Sequence, residues 1–524
     1  MNAVELRGVS KRYANGTLAN DGVSLCVAQG EIHAIVGENG AGKSTVMKML
    51  YGLEQPSAGE ILVNGTAARF KHPREAIAAG IGLVPQHLEL VPSFTVAENV
   101  VLGSEPMRGI VIDRRRAAAD VAEVSQRFGL EVDPHAMVRD LSVGEQQRVE
   151  ILKTLYRGAK IVLLDEPSAV LTPQETQALF VALRKLVTAG FTVILITHKL
   201  SEVREVSDRF TVMRAGKVTG QAESRGARAD DITEMIVGRP VAPLRVSRVL
   251  KHGAAALVAV QDLTLHGGDG QTHVEDVSFD IAAGEILGIA GVEGNGQAAL
   301  ADLLGGLRQP SRGTAMLEGR VFTGLGVRAV RTSRVALIPE DRLHNGVAAD
   351  MSITENVIAV DYHKPPLSRL GWLDTGAART LAQRVLTDYG VVARSPDQPI
   401  AGLSGGNMQK VVLAREVASQ PRFLVASQPT RGVDIGAAQF LRQQLVDLRD
   451  KGAAVLLISA DLDEVLALSD RIAVMFRGRI VAHFAANAAD ARELGLYMTG
   501  LASQEGATAL LDAPFTPARA EEMA

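Results

Sequence analysis

Residues 37–45 form a glycine-rich run, GENGAGKST, that ends in a lysine and two hydroxyl residues. The glycines allow backbone N–H groups to turn inward around phosphate oxygens, and the ammonium of Lys43 adds a positive charge. The hydroxyl of Ser44 is a ligand type that Mg²⁺ accepts. The run therefore predicts a phosphate-binding loop, whose members are Gly37, Glu38, Asn39, Gly40, Ala41, Gly42, Lys43, Ser44 and Thr45.

Three further polar residues follow apolar runs of the kind that form buried strands. Asp165 ends the run IVLLD, and we expect its carboxylate to hold Mg²⁺. Glu166 follows directly, where a carboxylate can orient an attacking water as general base. His198 ends the run FTVILITH, 32 residues after Glu166, and this spacing predicts that it faces the terminal phosphate. In isolation, the two carboxylates could instead cap a helix and the histidine could be a surface residue.

These residues need strands and helices that bring them to one place. The apolar run EIHAIV precedes the glycine loop, and KSTVMKMLYGL follows it with apolar residues at helical spacing. A strand, a glycine loop and a helix in this order form the context that a phosphate loop requires. A chance glycine-rich turn would not explain both flanks.

The chain contains this arrangement twice. Residues 291–299, GVEGNGQAA, lie 254 positions after the first loop, but Gln297 replaces the lysine and Ala298 replaces the serine. Two later segments recur 262 positions on: LSVGEQQRVEILK as LSGGNMQKVVLAR, and LLDEPSAVLT as VASQPTRGVD. The change in offset implies eight inserted residues. The two prolines of HKPPLSRLGW favour an insertion between Asn356 and Asp374.

The repeat predicts two modules, residues 1–238 and 258–500, joined by a linker over 239–257. Residues 501–524 lack a sustained apolar period, which predicts a disordered tail. With 524 residues, of which 47% are hydrophobic, the chain can bury two sizeable cores.

Composition excludes several classes of protein. A net charge of −4 argues against a general nucleic-acid binder, and a single cysteine excludes a disulfide framework. No apolar stretch reaches the roughly 18 residues that a spanning helix needs. We therefore expect a soluble, cytoplasmic protein with no nucleic-acid partner.

The segments LSVGEQQRVEILKTLYRGAKIVLLDEPSAVLTPQE and LSGGNMQKVVLAREVA resemble the signature regions of ATP-binding-cassette (ABC) ATPases, in particular the tandem-domain subunits of sugar and nucleoside importers. The resemblance extends to about residue 500. It implies an α/β fold of two P-loop modules, each with a RecA-like core, an antiparallel β subdomain and a helical subdomain. It also implies ATP and Mg²⁺ as cofactors, with ATP held between the loop of one module and the signature of the other.

The same resemblance implies roles for further residues. Tyr13 would stack on the adenine ring. Gln86 would contact the γ-phosphate and Mg²⁺ and link them to a membrane partner. The second module would complete this site from a helix N-terminus and the residues after it, with Ser404, Gly405, Gly406 and Asp434.

The replaced residues all fall on one of the two sites that this arrangement implies. Site one, built on Lys43, keeps every element. Site two would combine LSVGE of the first module with the replacements Gly267 (for Tyr13), Gln297, Ala298, Glu340, Ser427, Gln428 and Ala460. The second module nevertheless keeps LSGGN and Asp434, which only site one needs. The sequence therefore predicts one competent site and one degenerate site.

The resemblance implies the ATPase motor of an importer, working with two integral-membrane permease subunits and a solute-binding protein. Such a chain would lie at the cytoplasmic face of the cell membrane as a peripheral protein that meets the membrane only through its partners. The degenerate run ASQPTRGVD looks more like the nucleoside group, so a nucleoside is the expected solute and a monosaccharide the alternative. Export of drugs or lipids and a tandem-cassette translation factor are further alternatives; the short linker argues against the last.

Overall fold

The computed structural model describes residues 1–86, 88–168, 171–197, 199–238, 255–267 and 272–504. The chain divides into two compact units, Met1–Ala242 and Pro243–Ala524. Three predictions fall wholly or partly outside the described residues: His198, most of the linker (239–254) and most of the tail (505–524).

The first unit contains two sheets and a short hairpin. Its strands are β1 (Asn2–Arg12), β2 (Leu18–Ala28), β3 (Ile32–Gly37), β4 (Ala58–Val63), β5 (Thr66–Ala68), β6 (Ile81–Val84), β7 (Met107–Arg108), β8 (Val111–Ile112), β9 (Ile161–Asp165), β10 (Thr192–Thr197), β11 (Arg209–Arg214) and β12 (Lys217–Glu223). The core sheet has the order β12-β11-β3-β10-β9-β6 and is parallel except for β12. The sheet β2-β1-β4-β5 is antiparallel.

The central strands β3, β9 and β10 are buried along almost their whole length, which explains their largely apolar sequences. The helices of this unit are α1 (Lys43–Leu50), α2 (Pro73–Ala78), α3 (Val96–Val101), α4 (Arg114–Phe128), α5 (Val143–Tyr156), α6 (Pro173–Thr188), α7 (Leu200–Val206) and α8 (Ala229–Val237). Helices α3, α4 and α5 bury Val100, Val121 and Val149 in one cluster and form a helical subdomain.

The second unit repeats this architecture. Its strands are β13 (Ala256–His266), β14 (Thr272–Ala282), β15 (Ile286–Ala290), β16 (Arg312–Leu317), β17 (Arg320–Val321), β18 (Val335–Ile338), β19 (Ser368–Arg369), β20 (Trp372–Leu373), β21 (Phe423–Ser427), β22 (Ala454–Ser459), β23 (Arg471–Phe476) and β24 (Arg479–Ala485). Its helices are α9 (Gln297–Leu304), α10 (Val327–Thr332), α11 (Ile353–Ile358), α12 (Thr375–Asp388), α13 (Gly405–Ala418), α14 (Ile435–Asp450), α15 (Leu462–Leu468) and α16 (Ala491–Met498). The core sheet is β18-β21-β22-β15-β23-β24, and the antiparallel sheet is β14-β13-β16-β17. The predicted fold class is therefore confirmed.

The position predicted for the eight-residue insertion is partly wrong. The amide of Asn99 bonds the backbone of Val91, and that of Asn356 bonds Ala348 in the same way, 257 positions later. Because Gln86 and Glu340 are 254 apart, three extra residues precede Ala348. The helix caps Asp113 and Asp374 are 261 apart, so only four of the eight inserted residues lie between Asn356 and Asp374. The one remaining inserted residue lies between Asp374 and Ser404. The prediction relied on the two prolines and overlooked the turn before Ala348, although its Asn345-Gly346 pair is also a turn signal.

Candidate nucleotide site

The glycine loop of the first unit joins β3 to α1. Gly42 precedes the helix with φ 96°, in the left-handed region that favours glycine. A Cβ on Gly42 would lie 2.4 Å from the carbonyl oxygen of Ala19, and one on Gly37 would lie 2.2 Å from that of Met213. The loop is thus packed against neighbouring backbone at both ends, and only glycine fits these positions.

Lys43, the first residue of α1, is buried at 5% exposure. Its Nζ donates to the carbonyl oxygens of Gly37 at 2.8 Å and Glu38 at 2.9 Å, which fixes the ammonium over the loop. Burial lowers the pKa of Lys43, and the charges of Glu166 and Asp165 oppose that shift. A cation with little water around it interacts strongly with anionic oxygen.

Asp165 ends β9 beside the start of α1. Burial raises the pKa of Asp165, while a hydrogen bond from Ser44 lowers it. The carboxylate is therefore poorly solvated as an anion, which favours its pairing with a cation. The sequence prediction paired these two residues as Mg²⁺ ligands, and the fold brings them into contact.

Glu166 and Gln86 meet at the ends of β9 and β6. The Nε2 of Gln86 donates to Oε2 of Glu166 at 3.1 Å, across 80 residues of sequence. Glu166 has φ 48°, and its N–H donates to the carbonyl of Ile196 on β10 at 3.0 Å. This left-handed backbone is costly for a residue with a side chain, and such strain is concentrated at functional sites.

Tyr13 lies at the end of β1, with its hydroxyl 3.4 Å from Oγ1 of Thr45. The Nζ of Lys11 is 5.2 Å from the centre of the Tyr13 ring. The fold thus brings Tyr13, the glycine loop, Asp165, Glu166 and Gln86 to the same edge of the first unit.

A buried network that sequence reasoning missed lies behind this edge. Glu202 is 3% exposed and accepts hydrogen bonds from Thr197, at 2.6 Å, and from Ser168. Lys199 donates to the Ser168 carbonyl at 3.1 Å. These bonds join the segment after Glu166 to the end of β10. The sequence contains a signal for this network, because hydroxyl residues and a glutamate recur 262 positions later in the second unit. There Ser459 and Thr430 contact Glu464.

The second unit keeps the backbone of the site without its chemistry. The Nε2 of Gln297 donates to the Val292 carbonyl at 3.0 Å, much as Lys43 bonds its own loop. Gln428 has φ 48°, the value found at Glu166, and its Oε1 accepts from the N–H of Ala460 at 3.2 Å. A carboxamide in place of a carboxylate cannot serve as a general base.

Ion pairs cover the same region of the second unit. The guanidinium of Arg431 pairs with Glu293 of the loop at 3.1 Å and with Glu340 at the end of β18. Burial raises the pKa of Glu340, and Glu293 raises it further, while Arg431 lowers it. Carboxylates therefore occupy the surroundings of a loop that has lost its lysine.

The signature residues of the second unit begin helix α13. Ser404 caps that helix and accepts from Nδ2 of Asn407 at 2.9 Å. Asp434 caps α14, accepting from the N–H of Ala437 at 2.6 Å. A Cβ on Gly406 would lie 2.7 Å from Oδ2 of Asp434, so the two segments are in close contact. The first unit presents Ser142 similarly, at the start of α5.

Within the described ranges of the chain, no group of three or more His, Cys, Asp or Glu side chains is arranged to hold a metal ion. Nor does any helix in those ranges combine the length and apolar character needed to cross a membrane.

The ABC transporter family matches residues 20–169 and 274–431. A guanosine import ATP-binding protein of Bacillus subtilis (strain 168) is 45% identical, over 97% of this chain and 99% of that protein. A nucleoside import ATP-binding protein of Lactococcus lactis subsp. cremoris (strain MG1363) is 42% identical, over 95% and 98%. A glucose import ATP-binding protein of Haloferax volcanii is 40% identical, over 93% and 94%.

A solved structure also spans both units. The archaeal ribosome recycling factor aABCE1, determined with the ribosomal stalk protein aP1, gives a TM-score of 0.60 over 91% of this chain and 90% of that chain. At 20% identity this is a likeness of fold alone. The matches to both modules and the similarity to full-length relatives show that the chain belongs to the ABC transporter family, as an ATP-binding subunit with two cassette modules.

Proposed function

We propose that this chain is the motor of a nucleoside importer, hydrolysing ATP at one composite site and driving separate permease subunits. The observation that carries the ATPase is the meeting of Lys43, Asp165, Glu166 and Gln86 at one edge of the first unit. The intact set of residues defines site one.

The residues fit ATP with Mg²⁺. Gly37 and Gly42 fit where a Cβ would meet neighbouring carbonyl oxygens, and Lys43 supplies the positive charge for the phosphates. Ser44 and Asp165 offer hard oxygen ligands to Mg²⁺, and Gln86 is a third candidate. The metal would neutralise charge on the phosphate oxygens. Glu166, whose carboxylate accepts a hydrogen bond from Gln86, would orient the attacking water. His198 is proposed to face the terminal phosphate.

The second module would complete site one. Ser404, Gly405 and Gly406 begin a helix whose N-terminal N–H groups favour an anion, and Asp434 packs beside them. Support comes from the pattern of losses, since the second module keeps these residues while losing lysine, serine and glutamate at Gln297, Ala298 and Gln428. On this proposal the degenerate site turns over no useful ATP.

A groove in the first unit would receive the permease. A cavity of about 490 Å³ opens between α1, α2, β6 and α5, with Leu53, Leu83 and Lys153 in its lining. Ser44 and Asp165 also line it, so an occupant would lie beside the proposed metal ligands. We expect Gln86→Ala to weaken solute-stimulated ATPase activity more than ATP binding, because Gln86 would relay contact at this groove to Glu166.

The solute is proposed from the relatives. The two nucleoside-import relatives share 45% and 42% identity with the chain, and a glucose-import relative shares 40%. A nucleoside is therefore proposed first and a monosaccharide second. The partners would be two integral-membrane permeases and a solute-binding protein, with the chain peripheral at the cytoplasmic face of the membrane.

Uptake in cells lacking this gene tests the proposal. Labelled guanosine, uridine and ribose should be supplied separately, with the intact gene restored as control. Loss of nucleoside uptake alone supports the proposal, and loss of ribose uptake alone favours the monosaccharide alternative. Unchanged uptake of all three would reject both importers.

A further inference from the structure

The second unit contains a turn that has no counterpart among the described residues of the first unit. Three extra residues lie between Glu340 and Ala348, and the chain there forms a π-helical turn, Arg342–Gly346. Asp341 caps the turn by accepting from the N–H groups of Leu343 and His344, both at 3.0 Å. The turn directs Arg342 towards the segment that follows Gln428.

Arg342 binds that segment through its backbone. Its Nη1 donates to the Arg431 carbonyl at 2.6 Å, and its Nη2 donates to the Gly432 carbonyl at 3.2 Å. A Cβ on Gly405 would lie 2.7 Å from Nη2 of Arg342, so the guanidinium also packs against the first residue of α13. Burial lowers the pKa of Arg342, and the charge of Asp341 opposes this shift. A planar guanidinium therefore fixes two carbonyls and one helix start together.

The side chain of Arg431 extends the same network in the opposite direction. It pairs with Glu293 in the glycine loop and Glu340 after β18. The two arginines thus tie the degenerate loop, the end of β18, the segment 431–432 and the start of the signature helix to one another. The shorter segment of the first module between Gln86 and Val91 reads HLEL, and Ala169 holds the position of Arg431, so the first module lacks both arginines.

We infer that Arg342 is a positioning residue for ATP hydrolysis, holding the signature residues and Asp434 of the second module in the geometry that site one requires. This inference rests on the proposed composite site. The degenerate module would then use an internal ion-pair network, in place of a bound nucleotide, to keep its signature helix and the Asp434 segment in register. The remodelled site would serve the intact one, although Arg342 itself touches no phosphate.

The test is steady-state ATPase kinetics of the full-length chain in its permease complex, with Arg342→Met and Arg342→Lys. We expect Arg342→Met to lower kcat about tenfold, equivalent to about 1.4 kcal/mol of activation free energy. KM and the affinity for fluorescent ATP should change less than twofold, because the nucleotide would bind mainly to the first module. Tm should change by only a few degrees. Arg342→Lys should recover part of kcat, since lysine can donate to one carbonyl at a time.

Arg334→Met is the matched control. Arg334 also donates to a backbone carbonyl in this unit, that of Gln420 at 2.9 Å, but contacts neither Gly405 nor residues 431–432. A kcat for Arg342→Met equal to that of Arg334→Met would overturn the inference. A fall in kcat that is matched by an equal loss of nucleotide affinity would also overturn it. Unfolding of both Arg342 variants would do the same.

Ser404→Arg separates this inference from the proposed function. If Ser404→Arg abolishes hydrolysis while Arg342→Met leaves it intact, the composite site stands and the positioning role fails. If Ser404→Arg hydrolyses ATP normally, the composite site fails, and the inference fails with it. Loss of activity in both, with partial recovery in Arg342→Lys, supports the inference.

Discussion

Glu166 and Gln428 hold the same backbone position in their units, with φ 48° and an N–H bonded to the neighbouring strand. The two side chains differ in chemical group and in partner, because Gln86 donates to the carboxylate of Glu166 whereas the carboxamide oxygen of Gln428 accepts from the N–H of Ala460. A carboxylate can accept a proton from water, whereas a carboxamide cannot. The asymmetry of the two sites therefore rests on side-chain chemistry on a shared backbone.

Glu166→Gln should reduce ATPase activity in the assembled complex by about 10²- to 10⁴-fold, the usual contribution of a general base. Gln428→Ala should leave most of the activity, because its side chain only bonds the backbone of Ala460. Phosphate release measured for both purified variants checks this. Similar losses from the two substitutions would contradict the asymmetric model of the sites.

Asp165→Asn should raise the thermal stability of the nucleotide-free chain at pH 7 while abolishing hydrolysis. Burial raises the pKa of Asp165 in the fold, so its contribution to stability is present below its ordinary pKa and is lost as pH rises through the raised value. At neutral pH the buried anion is destabilising. Each 1 kcal/mol relieved would raise Tm by about 2–4 °C in a domain of this size.

The expected gain in Tm should shrink as scans are repeated at successively lower pH, because the raised pKa lets the native carboxyl take up a proton more readily than an unfolded one. Asp113→Asn provides a control, because asparagine keeps the oxygen that caps α4. A Tm for Asp165→Asn below that of the unmodified chain at neutral pH would show that the Asp165 carboxylate does not destabilise the fold.

Two paired side chains of helix α5, Glu150 and Lys153, attach it to the segment after Gln86 by hydrogen bonds to the backbone of Glu89. Oε1 of Glu150 accepts from the N–H of Glu89 at 2.8 Å, and Oε2 is 2.7 Å from Nζ of Lys153. Lys153 in turn donates to the Glu89 carbonyl at 3.1 Å. The second unit secures the same place differently, with Arg415 donating to the Gly346 carbonyl at 2.9 Å. The Glu150–Lys153 pair would hold one wall of the proposed permease groove in the first unit.

Glu150→Ala should destabilise the first unit by about 3 kcal/mol, the lower end for breaking a buried pair, because Lys153 keeps some contact with solvent. That loss corresponds to a Tm lower by about 6–12 °C. The double variant Glu150→Val with Lys153→Met should recover part of it, since both charges are removed together. Equal destabilisation of the single and double variants, measured by calorimetry, would show that the ion pair is not the cause.

The complete chain combines a first module that keeps Lys43, Ser44 and Glu166 with a second module that has Gln297, Ala298 and Gln428 in their places. The proposed composite site predicts that neither module works alone. Residues 1–240, expressed separately, should bind ATP through Lys43 yet hydrolyse it at least about tenfold more slowly than the whole chain, because no signature from the second module would reach the γ-phosphate. Adding purified second module should raise the rate. Equal rates for the fragment and the whole chain would exclude a composite site.

The sequence by itself determined the duplication, the strand–loop–helix order around Lys43, and which copy had lost lysine, serine and glutamate. These features depend on residue type and on local periodicity, which the chain expresses over short stretches. The fold class came from the resemblance of the segments beginning at Leu141 and Leu403 to the signature regions of ABC ATPases.

Only the tertiary structure decided which distant groups meet. The bond between Gln86 and Glu166 joins segments 80 residues apart, and that between Arg342 and the Arg431 carbonyl joins segments 89 apart. Such contacts depend on how strands and turns pack. The Asn345-Gly346 pair marks a turn in the sequence, but it does not say which segment the side chain of Arg342 reaches. Packing alone placed Arg342 beside the signature helix, since local propensity fixes the form of a turn but not the neighbour that its side chain reaches.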